Sequence, residues 1–467
     1  MKSSRRGAVG AAAVACTLGG WANTADASGF ASQRFGGEQG TVVATNPTAL
    51  YYNPGAMGFS EGSQLGVYGT IALRHATWTH ALAATDTKDP PDAQGANTGE
   101  AHLLNVFAGP AVAGTLKIGN LVLGAGFFAP FYGRAHWAKN DAFTNSKYPL
   151  AADGVQRWFG IDGEVSVVYF TAGAAYRLGP ISIGAAGNLV SSNVVDFRAK
   201  SISGAGLPDT SPPNEGRSAL DVKGFNGSFS VGAMIEVLPA QLWLGGSYQA
   251  QPGLGPQSLD GSLLITRGDK VVLYPVTFHQ SLPDVIRAGV RWRPKGSAIE
   301  LRLFGDMTRW SVLTSECIGI QGMPCGANPD GSDNTPGGTT MSNFNRSWND
   351  TYGGRLGLSY WAKPEVELFF GAGYETAAVP DATMMPDVAD AINVAGAFGA
   401  RVELTRSLFL SASYTHIQYM NRDNTGKSTT ESLTNGKPVQ APTVQGDGGG
   451  QYTQWIGTFN GNLEAMF

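Results

Sequence analysis

Residues 451–467 read QYTQWIGTFNGNLEAMF, and this stretch decides the class of fold. Every second position from Trp455 to Phe467 carries an apolar residue or a glycine, and the intervening positions are mostly polar. Such alternation predicts a strand with one apolar and one polar face. A C-terminal aromatic residue in phase with the apolar face is typical of the last strand of an outer-membrane β-barrel, which the barrel assembly machinery recognises. The polar positions are Gln454, Thr458, Asn460, Asn462 and Glu464, and Ile456 and Met466 are exceptions to the pattern.

The same alternation occurs in two neighbouring segments, 286–293 and 299–310. In both segments the charged residues lie on one face of the predicted strand and the apolar residues lie mostly on the other. An arginine or lysine facing lipid near the bilayer midplane costs roughly 2–4 kcal/mol, so the charged face must line the barrel interior. Two interpretations of the charges remain open: polar lining paired across strands, or a role in binding a substrate or an ion. The predicted interior charges are Arg287, Arg291, Glu300, Arg302 and Asp306.

The lengths of the connections give the strand number. Six short turns are predicted at 117–120, 178–180, 238–240, 294–297, 362–364 and 405–407. Seven long polar connections are predicted at 77–100, 133–163, 197–222, 251–279, 312–349, 377–390 and 420–449. Their alternation requires fourteen strands. Short turns on one side and long loops on the other are typical of bacterial outer-membrane barrels.

Composition agrees with an all-β membrane protein. The 467 residues include 64 glycines and only 15% charged residues, whereas soluble proteins carry about 25% charged residues. The mean hydropathy of −0.09 is too polar for a bundle of membrane helices. The mildly acidic charge gives no reason to expect nucleic acid as a partner.

The N-terminus predicts an exported protein, and with the barrel strands it predicts the outer membrane of a Gram-negative bacterium as the location. Residues 1–27 contain a positive region, a short apolar region and a small-x-small site ending at Ala27, which together predict a cleaved signal peptide. Cys16 lies in a weak lipobox, so a lipoprotein is the alternative. Cys317 and Cys325 lie close together in a loop-like segment, where an oxidising compartment favours a disulfide over a metal site.

Residues 28–61 do not alternate like a strand, because two Asn-Pro steps and several glycines interrupt any regular element. If the last strand ends on the periplasmic side, this segment can fold up into the lumen as a hatch. The expected organisation is therefore a signal peptide at 1–27, a hatch at 28–61 and a transmembrane barrel at 62–467.

Several motifs spread over the chain resemble those of the long-chain fatty-acid transporter family (FadL/TodX type) of outer-membrane proteins. They are SGF at 28–30, TNPTALYYNPGAM at 45–57, GFFAPF at 126–131, SLPD at 281–284, TRWS at 308–311 and VPD at 379–381. The resemblance implies a fourteen-stranded barrel closed by an N-terminal hatch, in agreement with the strand count. It also implies uptake of hydrophobic molecules, such as long-chain fatty acids or aromatic hydrocarbons, by capture in a loop groove, hatch rearrangement and lateral exit.

The resemblance also suggests site residues. Asn53 and Pro54 are carried over as hatch residues, although the following Gly55 replaces the alanine that is commoner in the family. Residues 384–388 replace the usual charged cluster, which puts a fatty carboxylate site there in doubt. Binding apolar molecules requires apolar surface, and an interfacial aromatic girdle is the alternative role for the strand aromatics. The candidate ligand-binding residues are Ser28, Gly29, Phe30, Phe35, Phe127, Phe128, Phe131 and Tyr132.

Enzyme chemistry has little support in the sequence. Residues 58–62 match G-x-S-x-G, but the strand–turn–helix context that this motif needs is not predicted. The six histidines show no metal-ligand spacing, and no cofactor motif is present. A general diffusion porin or a structural barrel is the alternative function. The predicted partners are a hydrophobic substrate and membrane lipids, and the barrel is expected to be a monomer.

Overall fold

The structure is a computed structural model that describes residues 34–81, 89–202, 210–429 and 440–467, with the backbone of 433–434 and 437–438. The predicted signal peptide, Cys16 and the candidate residues Ser28, Gly29 and Phe30 lie outside the described residues.

Strands make up most of the described chain, and they number twenty-one there. In chain order they are β1 Gln64–His80, β2 Gly99–Ile118, β3 Leu121–His136, β4 Asp162–Leu178, β5 Ile181–Ser201, β6 Glu215–Leu238, β7 Leu242–Gln249, β8 Gln257–Arg267, β9 Lys270–Gln280, β10 Val285–Trp292, β11 Ile299–Thr308, β12 Ser315–Ile320, β13 Thr340–Asn345, β14 Thr351–Lys363, β15 Val366–Glu375, β16 Asn393–Thr405, β17 Leu408–Tyr419, β18 Arg422–Asp423, β19 Leu433–Thr434, β20 Lys437–Pro438 and β21 Gln451–Met466.

Fourteen of these strands form a closed antiparallel barrel, as the sequence predicted. Neighbouring strands pair in the order β1–β7, β10, β11, β14–β17 and β21, and β21 pairs back onto β1. All six predicted short turns are confirmed at the ends of β2, β4, β6, β10, β14 and β16. In two of them Gly119 and Gly179 have φ of 60° and 58°, a conformation that hairpin turns of this kind require and that glycine adopts without strain.

The outer wall is apolar, whereas polar side chains line much of the inner wall. In β21, Phe459 and Leu463 are 55% and 43% exposed, whereas the alternating Asn460 and Asn462 are buried inside. A similar apolar surface runs over other strands around the barrel. Soluble proteins rarely expose a continuous apolar belt of this kind, whereas the hydrocarbon core of a bilayer covers it.

Three of the predicted long connections are wrong in extent. β5 and β6 together occupy half of 197–222, the β8–β9 hairpin fills most of 251–279, and β12 and β13 lie within 312–349. β6 pairs with β7 in one half and with β8 in the other, and β8, β9, β12 and β13 continue as an extension of the wall. Strands beyond the bilayer have no lipid-facing side, so their apolar periodicity is weaker and turn-forming residues are frequent in them.

Helices in the described residues are short. They are α1 Ala49–Tyr52 and 3-10 turns at Gly37–Gln39, Pro54–Phe59, Pro91–Ala93, Asp141–Phe143, Pro149–Asp153, Val155–Trp158, Pro212–Asn214, Pro252–Leu254, Trp310–Val312 and Pro386–Val388. Among the described residues, no helix has the length and apolar character needed to cross a membrane.

Candidate functional site

The N-terminal segment, residues 34–61, packs against the inner wall through the Asn53-Pro54-Gly55 turn. The Asn53 amide donates to the carbonyl oxygens of Val42 (2.8 Å) and Ala233 (3.0 Å), and its Oδ1 accepts from the Gly55 amide (3.0 Å). One fully buried side chain therefore holds the turn together and ties it to β6.

Three glycines on adjacent strands make the surface on which this turn lies. A Cβ atom on Gly184 of β5 would be 2.6 Å from the Pro54 carbonyl carbon, and one on Gly232 of β6 would be 2.0 Å from Asn53 Oδ1. On Gly245 of β7 it would be 2.8 Å from the Val42 oxygen. Any larger residue at these positions would push the segment away from the wall.

Polar contacts tie the same segment to the opposite side of the barrel. Gln39 donates to Glu367 of β15 (2.7 Å) and accepts from Arg302 of β11 (3.0 Å). Asn46 donates to Glu464 of β21 (2.9 Å). Since the contacts reach from β5–β7 to β15 and β21, residues 34–61 extend across the interior.

An aromatic cluster joins the N-terminal segment to β3 and β4. The Phe35 ring lies 5.0 Å from Tyr51 and 5.1 Å from Phe128, and Tyr51 lies 6.5 Å from Tyr169. Phe35, Phe128 and Tyr169 are almost fully buried. Edge-to-face aromatic pairs of this kind add to the stability that burial provides.

The structure places the five predicted interior charges on β10 and β11. Arg287 lies over the rings of Tyr51 and Tyr52 and donates to Gln249, and it is opposite Asp306 in the strand register. Glu300 accepts from Arg291 (2.9 Å). These contacts favour the interpretation as paired polar lining, while Arg302 and Arg287 also contact the N-terminal segment.

Neighbouring aromatic residues of β3 point to opposite sides of the wall, which distinguishes two of the candidate ligand-binding residues. Phe127 lies on the outward side, paired with Phe170, whose side chain is 50% exposed. This outward position favours the girdle alternative for Phe127 over the predicted ligand-binding role. A bulge between Phe128 and Phe131 shifts the register, and Phe128 and Phe131 are buried on the inner side.

The difference between Phe127 and Phe128 predicts unequal effects of truncation. Phe128→Ala should loosen the N-terminal segment, because loss of a buried phenylalanine costs about 3–5 kcal/mol. Phe127→Ala is the matched control and should change little, because lipid replaces the lost contact. Hydrogen exchange of the amides of residues 34–61 measures the effect, and equal exchange in the two variants would contradict the assignment of faces.

The wall has a seam between β2 and β3. Their pairing begins at the short turn and ends at Val112–Phe127, and the described residues then show only an isolated bridge between Leu103 and Trp137. The bulge contains Pro130, which has no amide hydrogen to donate to a neighbouring strand. The seam therefore coincides with an irregularity in the local sequence of β3.

Two contacts cross the seam. The ring of Phe107 on β2 lies 5.7 Å from that of Tyr132 on β3, and Asn105 donates to the Arg134 carbonyl oxygen (3.0 Å). On the outer side Leu104 and Val106 of β2 are 60% and 64% exposed. Such apolar residues indicate that the seam lies at the level of the hydrocarbon core.

Two regions of different polarity lie inside the barrel. A polar one of about 330 Å³ at the short-turn end is bordered by Arg291, Glu300, Arg401 and Glu464. At the loop end a large apolar cluster includes Phe131, Trp310 and Trp348. Phe131 packs against Trp310 at 6.1 Å, so this candidate residue belongs to the apolar region.

The connection between β15 and β16 borders this apolar cluster and contains a buried carboxyl. Burial raises the pKa of Asp390 to about 6, although the amides of Ala378 and Val379 donate to it. The connection is thus held by hydrogen bonds to one carboxyl that remains mostly ionised at neutral pH. In the connection after β11, Cys317 and Cys325 form a disulfide, and the described residues contain no group of side chains suited to a metal ion.

These features define a transmembrane β-barrel of the outer-membrane type whose interior is occupied by its own N-terminal segment. Several barrels of known structure share its fold. A FadL homologue of Pseudomonas aeruginosa superposes with a TM-score of 0.74 at 15% identity, over 96% of this chain and 100% of that chain. The Ralstonia pickettii toluene transporter TbuX gives 0.61 at 13% identity, over 94% and 98%. The P. putida toluene transporter TodX gives 0.59 at 14%, over 94% and 99%.

The chain therefore has the FadL/TodX-type fold, and the resemblance read from its sequence motifs is confirmed at the level of the fold. Neither the protein-family models nor the curated proteins gave a match to the sequence.

Sequence reasoning missed several residues of the site. The sequence contains 64 glycines, and no pattern distinguishes Gly184, Gly232 and Gly245 from the others. Phe107 is likewise one of many aromatic residues in predicted strands. Pro130 was the available signal for the seam, because proline interrupts strand pairing.

Proposed function

We propose that this protein carries hydrophobic small molecules, such as long-chain fatty acids or aromatic hydrocarbons, across the outer membrane. The substrate enters the apolar region at the loop end and leaves sideways through the seam between β2 and β3. Residues 28–61 act as a hatch that keeps the central passage closed. Two proteins of the same fold carry names that describe them as toluene transporters.

The seam is the observation that carries this proposal. A backbone ladder left unpaired in hydrocarbon is costly, so barrels normally pair every strand throughout the bilayer. Here the pairing of β2 with β3 stops at Val112–Phe127, and aromatic residues border the gap on both sides. An apolar solute can pass through such a gap directly into the membrane, where its partitioning is favourable.

The general diffusion porin is less well supported, because contacts of Asn53, Gln39 and Asn46 hold the N-terminal segment across the interior.

Closing the seam covalently should abolish uptake of hydrophobic substrates. Phe107→Cys and Tyr132→Cys introduced together, and then joined by a short thiol-reactive cross-linker, should block lateral exit. Uptake of toluene and of oleate into proteoliposomes is the measurement, with a hydrophilic sugar as a reference solute. The same double variant without cross-linker is the control for the substitutions. Undiminished uptake after complete cross-linking would contradict exit through the seam. Faster entry of the sugar than of toluene would favour a general diffusion porin.

A further inference from the structure

A cavity of about 120 Å³ lies at the loop end of the interior, within the apolar region of the proposed pathway. Its apolar lining includes Phe131, Leu282, Trp310 and Trp348. For comparison, an engineered cavity of about 150 Å³ lined by Leu, Ile and Phe binds benzene. The volume therefore suits one aromatic ring, and a long acyl chain would exceed it several-fold.

One edge of the cavity is polar, and its charged residues include a buried donor and a buried acceptor that have no hydrogen-bond partner. Arg346 donates through Nε (3.0 Å) and Nη2 (2.7 Å) to Glu316, and its Nη2 lies 3.7 Å from Oδ2 of Asp387. Arg346 Nη1 and Asp387 Oδ1 are buried without a hydrogen-bond partner. The Arg346 side chain is only 4% exposed. A buried donor and a buried acceptor left unpaired are both unfavourable, so a ligand that pairs with both would be stabilised.

The charge of the lining decides what kind of polar group fits. Four arginines and four acidic residues line the cavity, so their formal charges cancel. An added carboxylate would be attracted by Arg346 but repelled by Asp387 and Glu316, and it would leave an excess negative charge in a poorly solvated space. A neutral group that both donates and accepts one hydrogen bond satisfies the two free atoms and keeps the charges balanced.

We propose that this cavity binds a neutral monoaromatic compound carrying a hydroxyl group, that is, a phenol-type molecule. The ring packs among Phe131, Trp310 and Trp348. The hydroxyl donates to Asp387 Oδ1 and accepts from Arg346 Nη1. The inference rests on the proposed function and narrows its substrate class. A site that hydrogen-bonds a ligand hydroxyl discriminates against the analogue that lacks it, because its own polar groups are then left unpaired.

Three ligands that share one ring system test the proposal. The purified full chain in detergent is titrated calorimetrically with 4-methylphenol, toluene and 4-methylbenzoate. We expect 4-methylphenol to bind about tenfold more tightly than toluene, as one or two net hydrogen bonds allow. It should also bind more tightly than 4-methylbenzoate.

Substitution of the acceptor should remove this preference. Asp387→Leu is expected to lower the affinity for 4-methylphenol about tenfold, to that of toluene, while toluene binding is unchanged. Asp381→Leu is the matched control, because it removes an acidic residue from the same connection without touching the cavity lining. It should leave the order of affinities intact.

The outcomes separate this inference from the proposed function. If toluene binds and is taken up but 4-methylphenol binds no more tightly, the phenol site is wrong and hydrophobic transport stands. Tightest binding of 4-methylbenzoate would replace the phenol site by an anion site. Equal loss of toluene and 4-methylphenol in Asp387→Leu would also overturn the hydrogen-bonding role. If none of the three ligands binds and toluene is not taken up, the transport proposal itself fails.

Discussion

Deleting residues 37–59 is expected to convert the closed barrel into an open aqueous pore. The segment lies across the interior, and its removal exposes the polar inner wall, including Arg302, Glu367 and Glu464, to water. Barrels with a polar, unobstructed lumen conduct ions and small hydrophilic solutes. Conductance in planar bilayers and sugar entry into proteoliposomes should therefore rise from near baseline to the level of an open channel.

Two further variants make this result interpretable. Asn46→Ala removes one hydrogen bond to Glu464 and leaves the Asn53-Pro54-Gly55 anchor in place, so it should stay closed. Gly184→Val keeps the full chain, but its side chain would occupy the position of the Pro54 backbone. Gly184→Val should therefore raise conductance, and it tests the same prediction if the deletion variant does not fold. Baseline conductance in both the folded deletion variant and Gly184→Val would show that residues 34–61 are not the barrier.

Arg157→Met is expected to destabilise the loop end of the barrel, because Glu215 would keep only Arg217 as a charged partner (2.6 Å). Removing one partner of a buried ion pair costs up to about 3–5 kcal/mol. Arg157 and Glu215 are fully buried, and the Nε of Arg157 donates to both carboxylate oxygens of Glu215 at 3.0 and 2.9 Å. The pair joins the connection after β3 to the first residue of β6. Limited proteolysis of residues 139–160 and thermal unfolding in detergent measure the loss.

A control variant and a rescue variant test whether the buried ion pair is responsible for the effect of Arg157→Met. Lys147 lies in the same connection as Arg157, and Lys147→Met breaks its exposed ion pair with Asp92 of the β1–β2 connection. Exposed pairs contribute little. Adding Glu215→Leu to Arg157→Met removes the carboxylate that has lost one of its two arginine partners. It should recover part of the stability, since Arg217 keeps its ion pair with Asp153 (2.7 Å). If Lys147→Met and Arg157→Met were equally harmful, the buried pair would not be what orders this connection.

The alternation of apolar and polar residues along the strands could be predicted from the sequence, because lipid constrains each outward-facing residue separately. Ile286 and Leu303 face outward and Arg287 and Glu300 face inward, since a charge in hydrocarbon is costly at any single site. The short turns were equally local, because residues such as Gly119 and Gly179 adopt a conformation that few other residues tolerate.

Outside the bilayer no lipid constrains the outward-facing residues, and strands were predicted less accurately there. The β8–β9 hairpin and the strands β12 and β13 were assigned to loops, although Leu259 and Phe278 bury an apolar face. Their outward positions meet water and not lipid, so no strict alternation marks them in the sequence.

The orientation of Phe127 and Phe128 shows a second kind of limit. A strand without a bulge would alternate through this region, and the register shift at Ala129 and Pro130 places Phe128 and Phe131 on the same side. Proline marked the position of the irregularity. Its consequence for the side chains depends on how β3 pairs with β4.

The C-terminal stretch QYTQWIGTFNGNLEAMF by itself determined that a lipid-facing strand lies at 451–466, and the connection lengths determined that fourteen such strands close into a barrel. These properties follow from local periodicity, because the bilayer constrains each residue separately. Only the tertiary structure decided that Glu464 holds Asn46, that β2 and β3 separate, and that Arg346 meets Asp387. Those contacts join residues far apart in the chain, and their pairing depends on register and packing that periodicity does not encode.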